Sequence, residues 1–308
     1  MRVLVTGGAG FIGSNLVKLL LEEGHSVRVI DDLSSGHAEN LRGLDVEFIK
    51  DSILSLSSVE QACKGVDVVF HMAASVGRQR SIDFPQKDSE INLIGTVNVL
   101  ESMKKNNVER IVYSSSAAIF GELVETVINE NHPLNADSPY GVSKLAAEKM
   151  ILAYSGIYGF TGVCLRYFNI YGINQRFDKY GNVIPIFANR ILNNLPLCIY
   201  GDGEQTRDFV NVKDVARANY LAATKATKSD VFNLGSGEVI TINNLAKFML
   251  EYTGSNLEIQ YLPERPADVK HCKADASKVL KDLGFKTTVE LEDGLKDYLD
   301  WYNKELVK

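Results

Sequence analysis

A tyrosine and a lysine four positions apart form the pair in this sequence best suited to proton transfer. They are Tyr140 and Lys144, in the segment SPYGVSKLAAEK at the start of a predicted amphipathic helix. Side chains at i and i+4 meet on one face of a helix, so the lysine ammonium would lie beside the tyrosine phenol. A nearby ammonium favours the phenolate, which predicts that the pair acts as a general acid and base. The same spacing also arises by chance in helices, and its interpretation depends on the rest of the chain.

A glycine-rich segment, VTGGAGFIGSNL, follows the first strand-like run and begins a helical pattern. Its glycines fit both G-x-x-G-x-x-G, from Gly7, and G-x-G-x-x-G, from Gly8. A turn without Cβ atoms lets a helix N-terminus approach a pyrophosphate and offer free N–H groups, although a tightly packed turn would use the same residues. The position between strand and helix favours a dinucleotide site. The residues expected to contact the dinucleotide here are Gly7, Gly10, Phe11, Ile12 and Gly13.

Carboxylates follow the second and third strand-like runs. Asp31 stands 18 residues after Gly13, where a carboxylate accepts hydrogen bonds from the adenosine ribose and repels a 2′-phosphate, so the sequence predicts NAD rather than NADP. In the segment DDLSSG, the residues Asp32, Ser35 and Gly36 are expected at the same ribose. Asp51, next to Ser52, is predicted to reach the adenine, and an exposed turn carboxylate is an equally good interpretation.

Strand-like and helical patterns alternate along the first half of the chain. Short β-branched runs cover 2–6, 26–30, 46–49, 66–70, 109–114 and 160–168, with amphipathic segments between them. Strands that are apolar on both faces indicate a parallel sheet covered by helices on both sides. The predicted fold is therefore α/β, a Rossmann-like doubly wound parallel sheet with a smaller α/β C-terminal substrate lobe. The expected division is residues 1–170, joined by about 208–236, and a second lobe of 171–207 and 237–308. Beyond residue 170, helices are expected near 212–226, 241–253 and 290–306.

The composition excludes several classes of function. A net charge of −6 without a Lys/Arg-rich stripe argues against a nucleic-acid partner. The four cysteines, at 63, 164, 198 and 272, show no metal-ligand spacing, so we expect no metal, no disulfide framework and a cytoplasmic protein with reduced thiols. The chain shows no signal-peptide pattern and no apolar run of membrane-spanning length, and no membrane association is expected.

Eight ordered motifs between residue 3 and about residue 275 carry a resemblance to a known family. They are TGGAGFIGSNL, DDLSSG, VVFHMAA, YSSSAAIFG, SPYGVSK, LRYFNIYG, GDGEQTRDFVNV and RPADV. Together they resemble the extended short-chain dehydrogenase/reductase family and, within it, the nucleotide-sugar epimerases related to UDP-galactose 4-epimerase. The resemblance implies bound NAD, a UDP-sugar substrate, and a homodimer formed by the two helices over 87–105 and 138–159.

The resemblance also implies roles for individual residues. Tyr140 and Lys144 are the catalytic pair, with Ser116 after the fifth strand relaying the sugar hydroxyl proton to Tyr140. Lys144 and the positive nicotinamide are expected to lower the tyrosine pKa by ~3 to 4 units from its ordinary value near ~10. Further expected contacts of the cofactor are Ala73, Ala74, Asn92, Ser114, Tyr167 and Phe168.

The second lobe is expected to bind the UDP-sugar. Arg207 and Arg265 match arginines that hold its phosphates, a task suited to their planar multi-donor groups. The remaining expected substrate contacts are Asn169 at the diphosphate, Asn182 and Val183 along the nucleotide, Tyr200, Asp268 at the uridine ribose, and Cys272 beside the sugar's C2 substituent. In the segment YGINQ the residues Ile173 and Asn174 depart from the family pattern.

Ala117 and Ala118 occupy positions where dehydrating or decarboxylating family members carry an acid, so their presence favours simple epimerisation at C4. The small Cys272 predicts space for an N-acetyl group, hence UDP-N-acetylglucosamine/UDP-N-acetylgalactosamine as well as UDP-glucose/UDP-galactose. A UDP-glucuronate 4-epimerase stays open because Arg78 and Arg80 could bind a C6 carboxylate. A non-catalytic NAD-binding regulator is disfavoured because Tyr140 and Lys144 are both present.

Overall fold

A computed structural model describes residues 1–264 and 270–306 of the chain. Two residues expected to bind substrate, Arg265 and Asp268, lie outside the described residues. The strands are β1 (Arg2–Thr6), β2 (Ser26–Ile30), β3 (Val46–Ile49), β4 (Val68–His71), β5 (Arg110–Ser116), β6 (Val127–Ile128), β7 (Thr161–Tyr167), β8 (Asn169–Tyr171), β9 (Leu197–Tyr200), β10 (Thr206–Arg207), β11 (Phe209–Asn211), β12 (Asp230–Leu234), β13 (Ile240–Thr241), β14 (Ile259–Leu262) and β15 (Lys273–Ala274).

Helices alternate with these strands. They are α1 (Phe11–Glu22), α2 (Leu56–Ala62), α3 (Arg78–Asp83), α4 (Pro85–Ser89), α5 (Gly95–Lys105), α6 (Pro139–Tyr158), α7 (Val183–Leu192), α8 (Val212–Lys225), α9 (Ile242–Thr253), α10 (Ser277–Leu283) and α11 (Leu291–Leu306). A π-helical turn, Glu90–Ile94, joins α4 to α5 into one continuous helical stretch. None of the helices within the described ranges is long and apolar enough to cross a bilayer.

A seven-stranded parallel sheet organises the fold, with strand order β12-β7-β5-β4-β1-β2-β3. The order reverses between β1 and β4, and the crevice at the carboxyl ends of strands beside such a reversal is where ligands bind in doubly wound sheets. The fold is therefore α/β with a Rossmann-like sheet, as predicted from the sequence. The edge strand β12 pairs with β7 and comes from within the segment expected to return to this sheet.

Alternation along the strands divides the apolar residues between the two faces of the sheet. On β1, Val3 and Val5 belong to the cluster packed under α1 and α8, whereas Leu4 belongs to the cluster under α2, α5 and α6. A third cluster is formed by residues of α7, α9, α11 and β9, among them Phe187 and Leu245. Helix α6, which carries Tyr140 and Lys144, is thus held by packing against one face of the central sheet.

The predicted strand over 160–168 is confirmed as β7, Thr161–Tyr167, and a separate short strand follows it directly. The backbone N–H of Phe168 donates to the carbonyl of Leu234 at 3.1 Å, and the next residue leaves the central sheet. There β8 pairs in parallel with β11, beginning at Asn169 opposite Phe209. The break depends on a pairing partner 40 residues away in the sequence, and the local pattern contains no sign of it.

Candidate active site

The glycine turn after β1 has the shape of a dinucleotide cradle. Gly7 adopts φ +67, and a Cβ on Gly13 would lie 2.1 Å from the carbonyl oxygen of Gly7, so a side chain at either position would force the turn open. Helix α1 follows immediately with Gly10 as its N-cap, and no side-chain hydrogen bond caps it. Its first N–H groups are therefore available to an anionic group, as a pyrophosphate site requires.

Asp31 stands at the end of β2 beside this turn. Its carboxylate accepts hydrogen bonds from the backbone N–H groups of Ala9 at 2.9 Å and Leu33 at 2.8 Å. Burial raises the pKa of Asp31, and these two hydrogen bonds oppose the rise. A Cβ on Gly36 would lie 2.9 Å from this carboxylate, so only glycine permits such an approach. Each carboxylate oxygen keeps further acceptor capacity, which fits a ribose diol.

The neighbouring carboxylates are arranged differently. Asp32 is exposed and accepts a hydrogen bond from the Ser34 N–H at 2.9 Å, which closes a local turn. Asp51 accepts hydrogen bonds from the Ser58 hydroxyl and, at 2.7 Å, from the Ser52 N–H. These bonds, that from Ser58 first, lower the pKa of Asp51. Asp51 thus stabilises its own turn and also lines the cleft described next, and its contact with the adenine stays a prediction.

A cleft of about 1400 Å³ runs from the glycine turn to the second lobe. Of the residues expected from the sequence to contact cofactor or substrate, those lining it are Gly7, Gly10, Phe11, Ile12, Gly13, Asp31, Asp32, Ser35, Gly36, Asp51, Ser52, Ala73, Ala74, Ser114, Ser116, Tyr140, Lys144, Tyr167, Phe168, Asn169, Asn182, Arg207 and Cys272. The chain therefore brings residues that lie far apart in the sequence into one continuous cavity.

Among the residues that the structure describes, three expected contacts do not line this cleft, namely Asn92, Val183 and Tyr200. Asn92 lies in the π-helical turn with its side chain buried, where its amide contacts the backbone N–H and carbonyl of Ser75 at 2.8 and 3.0 Å. Val183 is the first residue of α7, behind its N-cap Asn182. Tyr200 ends β9 in the second lobe, paired with β14. The motif pattern did not show which way these side chains face.

Tyr140 and Lys144 occupy the first two turns of α6, as expected from their spacing. Pro139 begins the helix, and the Ser138 hydroxyl caps it by accepting a hydrogen bond from the Gly141 N–H at 3.2 Å. Strand β5 is longer than predicted and Ser116 is its last residue, and the side chain of Ser116 forms a hydrogen bond with that of Tyr140. The three side chains therefore meet at the carboxyl edge of the sheet.

Burial is the largest influence on the pKa values of both Tyr140 and Lys144. Burial raises the pKa of Tyr140 to about 12, opposed by its hydrogen bond with Ser116. Burial also lowers the pKa of Lys144 to about 7. Removal from water disfavours the charged forms of both side chains in the protein by itself, and the lowering of the tyrosine pKa by Lys144 together with the positive nicotinamide stays a prediction. A phenolate at Tyr140 needs a further positive charge in the cleft.

Two buried networks around α6 were missed in the sequence. The Asp88 carboxylate accepts hydrogen bonds from the Ser143 hydroxyl and the Asn92 amide. Its negative charge raises the pKa of Lys144. On the same helix face, Glu148 forms a buried ion pair with Arg166. A helical spacing of four from Tyr140 through Lys144 identifies Glu148 as facing inward, but no local pattern marks Asp88.

The rim of the cleft carries paired arginines. Arg78 contacts both carboxylate oxygens of Asp137, at 2.8 and 2.7 Å, and Arg80 forms an ion pair with Asp178. The guanidinium of Arg80 also stacks over the ring of Tyr180, 4.9 Å from its centroid. Both arginines are thus partly neutralised by acidic neighbours.

The atypical segment at 173–174 is anchored to helix α1. The Asn174 amide donates to the Ser14 hydroxyl at 2.9 Å, and the Asn15 amide donates to the Ile173 carbonyl at 3.0 Å. Asn174 adopts φ +70, a conformation that asparagine tolerates better than most residues. The departure from the family pattern therefore leaves a loop fixed by side-chain hydrogen bonds against the dinucleotide cradle.

Cys272 lines the cleft on the side of the second lobe. It packs against the apolar cluster that contains Phe168 and Ala274. Burial raises the pKa of its thiol to about 11, with the nearby Arg207 acting in the opposite direction. Cys272 is therefore a small neutral wall of the cavity close to an arginine. Across residues 1–264 and 270–306, no cluster of three or more His, Cys, Asp or Glu side chains is arranged to hold a metal ion.

Comparison with known proteins agrees with this geometry. The family described as the NAD dependent epimerase/dehydratase family matches residues 3–235. A putative UDP-glucose 4-epimerase of Methanocaldococcus jannaschii is 38% identical over 301 residues, covering 97% of each chain. The UDP-glucose 4-epimerase of Thermotoga maritima, solved with UDP-glucose, is 38% identical with a TM-score of 0.94, covering 99% of this chain and 100% of that one. A UDP-N-acetylglucosamine 4-epimerase of Methanobrevibacter ruminantium, in complex with UDP-N-acetylmuramic acid, is 35% identical with a TM-score of 0.94, covering 99% of each chain.

Proposed function

This chain belongs to the NAD-dependent epimerase/dehydratase family, and we propose on that basis that it is a UDP-hexose 4-epimerase working through a 4-keto intermediate. NAD is its cofactor. The glycine cradle, the uncapped start of α1 and the Asp31 carboxylate fit the pyrophosphate and the ribose of that dinucleotide. The observation that carries the proposal is the meeting of Ser116, Tyr140 and Lys144 in the cleft beside this cradle.

The residues of the chain divide the proton chemistry between them. Tyr140 accepts the proton of the sugar's 4-hydroxyl, directly or through Ser116, and returns it when the hydroxyl is restored on the other face. Bound NAD⁺ supplies the hydride acceptor and the positive charge that favours the Tyr140 phenolate. Lys144 adds to that charge when it is protonated, and the buried site keeps competing water away.

The two residues after Ser116, which line the cleft, support epimerisation of the sugar rather than an elimination reaction. Ala117 and Ala118 form a short 3₁₀ turn that lines the cleft directly after β5. Neither methyl side chain can donate or accept a proton, so no acid stands at the position next to Ser116. Oxidation at C4 followed by reduction needs only the one acid–base group at Tyr140.

The second lobe offers the features needed for a UDP-hexose. Arg207 provides a guanidinium in the cleft, which suits a diphosphate. Asn169 also lines the cleft, and its amide donates to the carbonyl of Asp208, the residue after Arg207, at 3.0 Å. Cys272 is small enough to leave room for a C2 acetamide. We propose that the substrates are UDP-N-acetylglucosamine and UDP-N-acetylgalactosamine, together with UDP-glucose and UDP-galactose.

UDP-glucuronate is the weaker alternative. A C6 carboxylate would need a free cation, but Arg78 and Arg80 each contact an aspartate at the rim. They would have to exchange these partners for the substrate. A role as a regulator without chemistry would leave unexplained why an acid–base pair is buried in the cleft.

We also propose that the chain forms a homodimer in the cytoplasm. Apolar side chains are exposed on the helices expected at the interface, including Ile94, Val142 and Ile157. Their burial against a second copy would remove these side chains from water.

The four cysteines are free, which supports a reducing compartment. The division at residue 170, with 208–236 joined to the NAD-binding part, stays a proposal.

Incubation of the purified protein with each UDP-sugar in turn tests the proposed function. Chromatography that separates C4 epimers should show each hexose of a pair converting to the other until the same ratio is reached from both directions. Tyr140→Phe is the matched control for the chemistry. Conversion of UDP-glucuronate alone would replace the proposal with the alternative.

A further inference from the structure

Asp88 is a buried carboxylate that the mechanism above does not use. It lies on α4 and is only 1% exposed. One oxygen accepts a hydrogen bond from the Ser143 hydroxyl at 2.6 Å, and the other accepts one from the Asn92 amide at 3.1 Å. Both donors are neutral groups. A buried carboxylate normally requires a compensating cation as well, and Lys144, which follows Ser143, is a cation whose charge acts on Asp88.

Lys144 is itself removed from water. Its side chain is 2% exposed, and its ammonium lies 4.4 Å from the centroid of the Tyr113 ring. The titratable groups that face it from the surrounding elements are Asp88 from α4, Glu148 and Tyr140 from α6, Cys164 from β7, Tyr113 from β5 and His71 from β4. Glu148 is already paired with Arg166. Asp88 is therefore the carboxylate left to balance the charge of Lys144.

We propose that Asp88 is a positioning residue for the catalytic pair, holding Lys144 in its charged form and fixing the first turns of α6 through Ser143. The proposal rests on the proposed function, because that function makes Tyr140 and Lys144 the catalytic pair. The hydrogen bond to Ser143 acts on the residue directly before the lysine, so charge and position are controlled at the same place.

The effects of Asp88 and Lys144 on each other's pKa agree with this geometry. Burial lowers the pKa of Lys144, and Asp88 is the largest influence that raises it. Burial raises the pKa of Asp88, and Lys144 is among the groups that lower it. Asn92 extends the network by holding the backbone of Ser75, one residue after the cleft wall at 73–74. The charge balance of the lysine is thereby connected to the wall expected to contact the cofactor.

Titration of Lys144 in the holoenzyme tests the proposal without any sugar substrate. The pKa is followed from the resonance of isotope-labelled lysine Cε, assigned by its loss in Lys144→Met. Asp88→Asn and Asp88→Ala should each lower the pKa of Lys144 by about one unit or more, the size expected for a nearby opposite charge. Asp88→Glu keeps the charge and should titrate closer to the wild type than either neutral variant.

The matched control is Glu90→Gln, which removes an exposed carboxylate two residues from Asp88. It should leave the pKa of Lys144 unchanged. A wild-type pKa in folded Asp88→Asn or Asp88→Ala would overturn the proposal and reduce Asp88 to a structural role. The proposed function would be unaffected by that result, because it is judged by sugar conversion and not by this titration.

A reciprocal measurement covers the case in which neither neutral variant folds. Coupling between two titrating groups acts equally on both. Lys144→Met should therefore raise the pKa of Asp88, followed from its isotope-labelled carboxyl resonance. An unchanged pKa of Asp88 in folded Lys144→Met would overturn the proposal.

Discussion

The guanidinium of Arg166 forms a buried two-point ion pair with the carboxylate of Glu148, at 2.8 Å between Nη2 and Oε1 and 3.1 Å between Nε and Oε2. Glu148 lies on α6, four residues after Lys144, and Arg166 lies on β7 of the central sheet. The Ser115 hydroxyl of β5 donates to the same carboxylate at 2.8 Å. The pair therefore fixes helix α6 to two strands of the sheet.

Glu148→Gln should destabilise the fold strongly, because it leaves the Arg166 guanidinium buried without a counter-charge. Breaking a buried pair in this way costs about 3 to 5 kcal/mol, measured as the free energy of unfolding in urea. Asp137→Asn is the comparison, since it breaks the more exposed pair with Arg78 and should cost about 1 kcal/mol or less. Equal costs for the two substitutions would show that Glu148 does not anchor α6.

Tyr140→Phe should keep the fold and the bound NAD but lower turnover of UDP-hexoses by ~100-fold or more. The substitution removes the hydroxyl proposed to exchange a proton with the sugar and leaves the ring in place. Turnover is measured by separation of the C4 epimers, and cofactor content by absorbance after release of the nucleotide. Turnover above about a tenth of wild type would remove Tyr140 from the mechanism.

Cys272→Tyr should suppress conversion of the N-acetylated sugars while sparing UDP-glucose and UDP-galactose. A tyrosine at this wall of the cleft would occupy the space proposed for the C2 acetamide, and a steric clash is an effective way to reject the bulkier substrate. Cys272→Ala, which preserves the space, should convert both pairs. Equal loss on both pairs in Cys272→Tyr would count against this site, as would a wild-type protein inactive on UDP-N-acetylglucosamine.

Solution scattering at micromolar concentration should give the mass of a dimer. Ile157, on α6 and 70% exposed, is the position at which a charge should weaken the proposed interface most clearly, so Ile157→Glu should shift the mass toward the monomer. Val124→Glu is the control, because Val124 is 66% exposed but lies outside the two interface helices. A monomeric wild type would contradict the proposed interface.

The features predicted well from the sequence are those determined by local patterns. The glycine pattern at 7, 10 and 13 predicts a tight turn, and in the structure a Cβ added to Gly13 would collide with the carbonyl oxygen of Gly7. The parallel sheet followed from strands that are apolar on both faces. The i, i+4 spacing put Tyr140 and Lys144 together on α6.

The features that the sequence did not reveal depend on distant contacts. Asp88 meets Ser143 across 55 residues, and nothing near either residue marks the pair. The break after Tyr167 depends on the pairing of β8 with β11. The raised pKa of Tyr140 follows from its burial, which sequence spacing does not report. In each case the missing information is which surfaces the folded chain removes from water.

Deuterium at C4 of the UDP-sugar gives the most direct test of oxidation and reduction at that carbon. The holoenzyme is incubated with UDP-glucose deuterated at C4, and the UDP-galactose formed is analysed by mass and proton resonance. The product should retain the deuterium at C4, because the hydride removed from the sugar returns to the same carbon on its other face. Failure to form the C4 epimer from UDP-glucose or UDP-N-acetylglucosamine, or replacement of the deuterium by hydrogen from solvent, would contradict the account.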